Sequence, residues 1–223
     1  MAPTCRSLVV VADRFRVVVS TASRARAIRS PVAALPTILH VINNGGSAII
    51  MTHLGRPKNG PKNDFSLIHL VSHLEKLSKT KVHFSKDCIG EKAKTKCSLM
   101  KPGEITLLEN VRFYKEETKG DLLFAKKLAS NGDCYINDAF GTAHRAHAST
   151  TVIARNFPED KMFGFLMEEE IKSLEKVLIL LICIVMIRPE IFFLHILRDN
   201  PDGSGKRINT RANLIDLFVV LCI

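Results

Sequence analysis

Residues 33–57 read AALPTILHVINNGGSAIIMTHLGRP. Ala33–Asn43 carries apolar residues at helical spacing and is closed by Gly45-Gly46, the usual C-terminal glycine stop, which predicts a helix. Ser47–Thr52 is a short, almost continuously apolar run and predicts a strand buried on both faces. The polar, Gly- and Pro-rich stretch that follows, Leu54–Asp64, predicts a loop. The order helix, tight stop, buried strand, long polar loop decides the fold class, because strands buried on both faces belong to sheets covered by helices.

The same alternation runs outward through the chain. Ser66–Leu77 has Leu67, Leu70, Val71, Leu74 and Leu77 at helical spacing. Lys81–Phe84, Ile105–Leu108 and Cys134–Ile136 read as strands, and Leu122–Ser130 and Met167–Val177 as helices, the last with Glu168 and Lys172 one turn apart. Alternating units of this length predict an α/β fold, a parallel sheet with helices on both faces. Neither an internal repeat nor a low-complexity tract is present in the sequence.

In parallel sheets ligands bind outside the carboxyl ends of the strands, and the polar clusters fall there. Thr52-His53-Leu54-Gly55-Arg56-Pro57 follows the second of these elements, Glu109-Asn110-Val111-Arg112-Phe113 follows Ile105–Leu108, and Asn137–His147 (NDAFGTAHRAH) follows Cys134–Ile136. Each delivers an arginine to one edge, and converging guanidinium forks suit a small, multiply charged anion. Gly55 and Gly141 would let the backbone come close to it. A single arginine after a strand is ordinarily a solvated surface residue; three at equivalent positions make a site the better reading.

Other features point elsewhere or nowhere. The net charge of +10 concentrates in residues 1–30, where six arginines face Asp13 alone. Without tryptophan and with two tyrosines, the aromatic interleaving of a nucleic-acid surface is missing, so nucleic acid is not an expected partner. The six cysteines are scattered without a C-x-x-C pair, which argues against zinc or a disulfide framework and suits a reducing compartment. His69 and His73 lie one turn apart with no evident third ligand, so no metal is expected. Gly203-Ser204-Gly205-Lys206 lacks the rest of a phosphate loop and reads as a turn. The apolar run 177–187 is broken by Arg188-Pro189-Glu190, too soon for a bilayer span. The Arg-rich, acid-poor start fits an organellar transit segment in composition, and a cytoplasmic location is otherwise expected.

At HLGRP, LLENVRF and NDAFGTAHRAH the sequence closely resembles the N-terminal domain of phosphoglycerate kinases, and AALPTI (33–38), MTHLGRPK (51–58), RFYKEE (112–117) and FGFLMEEEI (163–171) fit the same pattern in the same order. The resemblance covers residues 31–178 and implies a Rossmann-like N-terminal domain. It implies a substrate site for 3-phosphoglycerate or 1,3-bisphosphoglycerate in which His53, Leu54, Gly55 and Arg56 contact the ligand. Arg112 and Arg145 would complete the basic patch, with His144 in support. It also implies Mg-ATP or Mg-ADP as the second substrate, held in that family by a C-terminal domain, and a monomeric chain. Two departures stand out. Counting back from AALPTI puts the family's Asp-Phe-Asn-Val-Pro motif, whose Asp and Asn meet the substrate, at Arg14–Val18, where both polar positions are replaced; its further basic residue falls at Ser30, beside Arg29. After Val177 the pattern stops, and the Gly-Gly-x-Lys nucleotide segment has no counterpart. The expected organisation is a divergent flank over 1–30, the phosphoglycerate-binding domain over 31–178 and an unrelated apolar tail over 179–223. The expected function is phosphoryl transfer between ATP and 3-phosphoglycerate by the family, with this chain inactive alone. The alternatives are a non-catalytic domain for phosphorylated acids and a faulty gene product.

Overall fold

The computed structural model describes residues 15–21, 32–57, 60–142 and 145–187, with side chains to residue 179. Six strands form one sheet: β1 (Arg16–Thr21), β2 (Ser47–Met51), β3 (Val82–Ser85), β4 (Ile105–Leu108), β5 (Cys134–Asp138) and β6 (Lys161–Phe163). Their order is β3-β4-β2-β1-β5-β6, and every pairing is parallel. The helices are α1 (Leu35–Asn43), α2 (Val71–Ser78), α3 (Glu91–Ser98), α4 (Lys115–Lys119), α5 (Leu122–Ala129) and α6 (Phe165–Ile187). The predicted α/β class and the helix–strand alternation therefore hold. A 3₁₀ turn, Leu67–Leu70, leads into α2, so the predicted helix over 66–77 is two elements. The helix predicted over 167–177 is longer at both ends.

Side chains alternate across the sheet. Val17, Val19, Ala48, Ile50 and Ile136 face a core with Ile38 and Val41 of α1 and Leu70 and Leu74 beneath α2. Val18, Ile49, Met51 and Tyr135 face a second core with Cys97 of α3 and Phe124, Ala125 and Leu128 of α5. Helices thus cover both faces, which is why the strands read as unbroken apolar runs.

β1 lies within residues 1–30, the stretch expected to be a divergent flank. Val17, Val18 and Val19 are fully buried at the centre of the sheet, between β2 and β5. Three consecutive β-branched residues suit a strand packed on both sides, and burying each stabilises by roughly 1.5–3 kcal/mol. The register also moves the slot assigned to the Asp-Phe-Asn-Val-Pro motif. Arg16 pairs with Ser47 at the amino end of the strands and binds Asp133, Nη2 to Oδ1 2.6 Å, on the opposite edge from the basic loops. The residues that β1 brings to its carboxyl end are Ser20 and Thr21, both buried. Arg24–Ser30, Ala143, His144 and the tail from residue 188, including Gly203–Lys206, lie outside the described residues.

Two compact units are distinguished, Met1–Ser173 and Leu174–Ile223. The first contains the sheet. In the second, Leu174, Val177, Leu178 and Ile179 are exposed. No helix among the described residues is long and apolar enough to cross a membrane.

Candidate anion site

The loop after β2 turns sharply at Gly55, whose φ of +64° is a left-handed conformation that glycine adopts without strain. A side chain here would also collide with Phe65, since a Cβ would sit 2.5 Å from the ring. The loop after β4 holds this turn in place. Asn110, fully buried, donates from Nδ2 to the carbonyls of Leu54 (2.8 Å) and Phe65 (2.9 Å), and its Oδ1 accepts from the Arg112 amide (3.0 Å). Glu109 accepts from Ser66 Oγ (2.7 Å) and from the amide of Leu67 (2.8 Å). Arg112 Nη1 donates to the Gly55 carbonyl at 2.8 Å. The two arginine-bearing loops are thereby locked to each other, with the Leu54 side chain packed against the core as their anchor.

The third loop leaves β5 at Asp138. This buried carboxylate accepts from Thr37 Oγ1 (2.7 Å) and the Met167 amide (3.1 Å), while Thr37 Oγ1 accepts from the Phe165 amide (2.9 Å). It thus caps the first turn of α6 while anchoring the start of the loop. The far end of the loop is fastened to α4. Glu117, 1 % exposed, accepts from Ser149 Oγ (2.7 Å) and the Ser149 amide (3.0 Å), and its backbone carbonyl accepts from the Ala148 amide (3.0 Å).

These anchors bring Arg56, Arg112 and Arg145 to one cleft of about 190 Å³, lined also by Pro57, Tyr114, Lys115 and Thr118. The electrostatics agree with the geometry. Burial is the main force that drives the His53 imidazole down to about 3, and the charges of Arg112, His147, Arg145 and Arg56 add to it. His53 is therefore neutral at physiological pH and can both donate and accept a hydrogen bond. Burial likewise lowers Arg112 from its ordinary value, opposed by Glu117 and reinforced by Arg56 and Arg145. The buried Arg112 Nε has no hydrogen-bond partner among the described residues. A buried donor without an acceptor is costly.

Of the residues singled out from sequence, His53, Leu54, Gly55, Arg56, Arg112 and Arg145 lie on the two interlocked loops or at this cleft; His144 lies outside the described residues. Tyr114, Lys115, Thr118 and Glu117 were not among the residues expected at the site, and His147 was noted only as part of the Asn137–His147 stretch. The RFYKEE stretch was the available signal, since it contains Tyr114, Lys115 and Glu117. His69 instead makes a contact from Nε2 to the Asn63 carbonyl at 3.2 Å. Among the described residues no group of three His, Cys, Asp or Glu side chains could hold a metal ion. Cys88, Cys97 and Cys134 are buried free thiols.

The comparisons bear on this arrangement directly. The family described as phosphoglycerate kinase matches residues 12–181, a span that includes β1 and all three loops. The phosphoglycerate kinase of Porphyromonas gingivalis is 47 % identical over 170 residues, 66 % of this chain and 40 % of the relative. The chloroplastic phosphoglycerate kinase of Volvox carteri is 48 % identical over 143 residues, 64 % of this chain and 31 % of the relative. Among solved structures, phosphoglycerate kinase from Pyrococcus horikoshii superposes with a TM-score of 0.66 at 30 % identity, covering 78 % of this chain and 45 % of that one. The chain thus spans less than half the length of these relatives. With a match over most of its residues, a six-stranded parallel sheet of the same fold and the three motif loops at one edge, the chain belongs to the phosphoglycerate kinase family.

Proposed function

We propose that this chain binds 3-phosphoglycerate or 1,3-bisphosphoglycerate in the cleft of Arg56, Arg112 and Arg145, as the phosphorylated-acid half of the reaction ATP + 3-phosphoglycerate ⇌ ADP + 1,3-bisphosphoglycerate. The observation that carries the reading is the convergence of three guanidinium groups on one cleft. Arginine forks match the planar carboxylate and the phosphate oxygens bidentately, and neutral His53 can bond to a carboxylate or hydroxyl without adding charge. Phosphoryl transfer asks the protein for positioning and charge neutralisation rather than a nucleophile, which is what an arginine cleft supplies. His144, from the same loop as Arg145, is assigned a supporting role by its place in the motif.

Family membership implies use of Mg-ATP or Mg-ADP. Among the described residues no group of three His, Cys, Asp or Glu side chains could hold the metal ion of that group. For these 223 residues taken alone we expect binding, as a monomer, without phosphoryl transfer, because transfer needs a nucleotide held within reach of the acceptor oxygen. The cytoplasm is the proposed location, with an organelle as the second reading in view of the Arg-rich start.

Calorimetry tests this reading. Wild type should bind 3-phosphoglycerate with an affinity that falls as salt rises. Arg56→Ala and Arg145→Ala should each lose roughly tenfold or more, since a charge-assisted hydrogen bond contributes about 1.5–3 kcal/mol. Equal binding by wild type and both variants, or turnover of ATP by the chain alone, would refute it.

A further inference from the structure

Glu117 lies in the RFYKEE stretch between the cleft and the core, and its place needs a reason. Its neighbour Glu116 is exposed, whereas Glu117 is withdrawn from solvent almost completely. Burial pushes its carboxyl up from the ordinary value, opposed by the Ser149 hydroxyl and amide and by Arg112. A buried carboxylate disfavours folding unless its partners repay the lost hydration. The partners here all belong to the segment that carries Arg145. Both carboxylate oxygens take a donor from Ser149. The backbone carbonyl takes the Ala148 amide. Oε1 stands 3.9 Å from Nδ1 of buried His147, within ion-pair range. Gly120, at the end of α4, lets the same segment pass: a Cβ there would lie 2.3 Å from the Ala146 carbonyl oxygen. Residues 146–149 are therefore pinned at consecutive points to α4, immediately after Arg145.

We propose that Glu117 is the positioning residue of the anion cleft: its carboxylate fixes the 146–149 segment, thereby aiming Arg145, and holds a proton on His147. The proposal rests on the anion-site reading for its first effect, not for its second. It accounts for an acid buried beside a cluster of cations. Arg56, Arg112 and Arg145 converge on one cleft, and the negative charge of Glu117 acts on Arg112 from behind it. The charge of Glu117 reaches Arg112, Cys88 and Tyr135, and His147 stands within ion-pair range of it. Of these, His147 is the one whose ordinary pKa lies near neutrality.

The test uses the full chain with Glu117→Gln, which keeps the size and loses the charge, and Ser149→Ala, which keeps the charge and loses one bond. Two quantities are read: 3-phosphoglycerate affinity by calorimetry, and titration of the His147 imidazole by ¹⁵N NMR. Glu117→Gln should weaken binding roughly tenfold and lower the His147 pKa, because a nearby carboxylate favours the imidazolium. Ser149→Ala should weaken binding by about threefold and leave the His147 titration in place; Glu117→Asp should restore part of both losses. A merely structural acid would lower the melting temperature and move neither quantity in the folded variant, and that result overturns the proposal. If Glu117→Gln does not fold, wild-type affinity in Ser149→Ala overturns it. If wild type binds no 3-phosphoglycerate, the anion-site reading fails, and the His147 titration still decides whether Glu117 sets that proton.

Discussion

Replacing His53 by Gln should flatten the acid side of the stability curve by an amount that the structure sets. In the folded chain the imidazole resists protonation down to about 3, through burial first and then through Arg112, His147, Arg145 and Arg56. In the unfolded chain it titrates at its ordinary 6.5. Between those values the unfolded state binds the extra proton, so stability is lost as pH falls through the unfolded value. From pH 7 to about pH 5 the unfolded state gains about 2 kcal/mol from this one group, and since the folded value lies below that window, the unfolded value alone sets the size. Other groups titrate there as well; Glu117 and Asp138, raised by burial, push the other way. The quantity to measure is therefore the difference between wild type and His53→Gln in urea unfolding free energy, followed from pH 7 to about pH 5. It should change by about 2 kcal/mol in favour of the variant on acidification. Adding 3-phosphoglycerate should shrink the effect, because a bound anion favours the imidazolium. Parallel curves for the two proteins would show that His53 is not packed among these cations, and the geometry of the cleft would fall with it.

Gly164→Ala should destabilise by about 3–6 kcal/mol, since a Cβ would lie 2.3 Å from the Asp138 carboxyl carbon and displace the acceptor of the Thr37 and Met167 bonds; a loss below about 1 kcal/mol in urea melts would refute the clash. Asn110→Ala should cost about 2–3 kcal/mol by orphaning the Leu54 and Phe65 carbonyls, and should weaken 3-phosphoglycerate binding as well because both arginine loops loosen; a stability loss with unchanged affinity in calorimetry would contradict the interlock. Val18→Asp should abolish cooperative unfolding, as expected of a fully buried position in a central strand; a sigmoidal thermal transition like that of wild type would mean that β1 is not in the sheet.

The α/β class was readable wherever an element carried enough apolar residues to show a period. α1, β2, β4 and α5 each did. α3 did not: EKAKTKCS buries only Ala93 and Cys97, one turn apart, too thin a stripe to register as periodicity. α4 and β6 are too short to carry a pattern. β1 was missed for a different reason. Val17–Val19 reads as a strand, yet it sits among arginines, and only its pairing with β2 and β5 reveals that Arg16 belongs at the far edge. The arginines of the cleft were legible because each stands just after a strand, where topology guarantees a common edge. Glu117 and His147 were not, because their role depends on a contact between segments thirty residues apart that no local pattern encodes.

The most direct test of the cleft is a crystal structure of the chain grown with 3-phosphoglycerate. The account predicts density for the ligand with its phosphate and carboxylate within hydrogen-bond distance of Arg56, Arg112 and Arg145. Ligand density elsewhere on the domain, or a cleft that stays empty at ligand concentrations that saturate binding in solution, would contradict it.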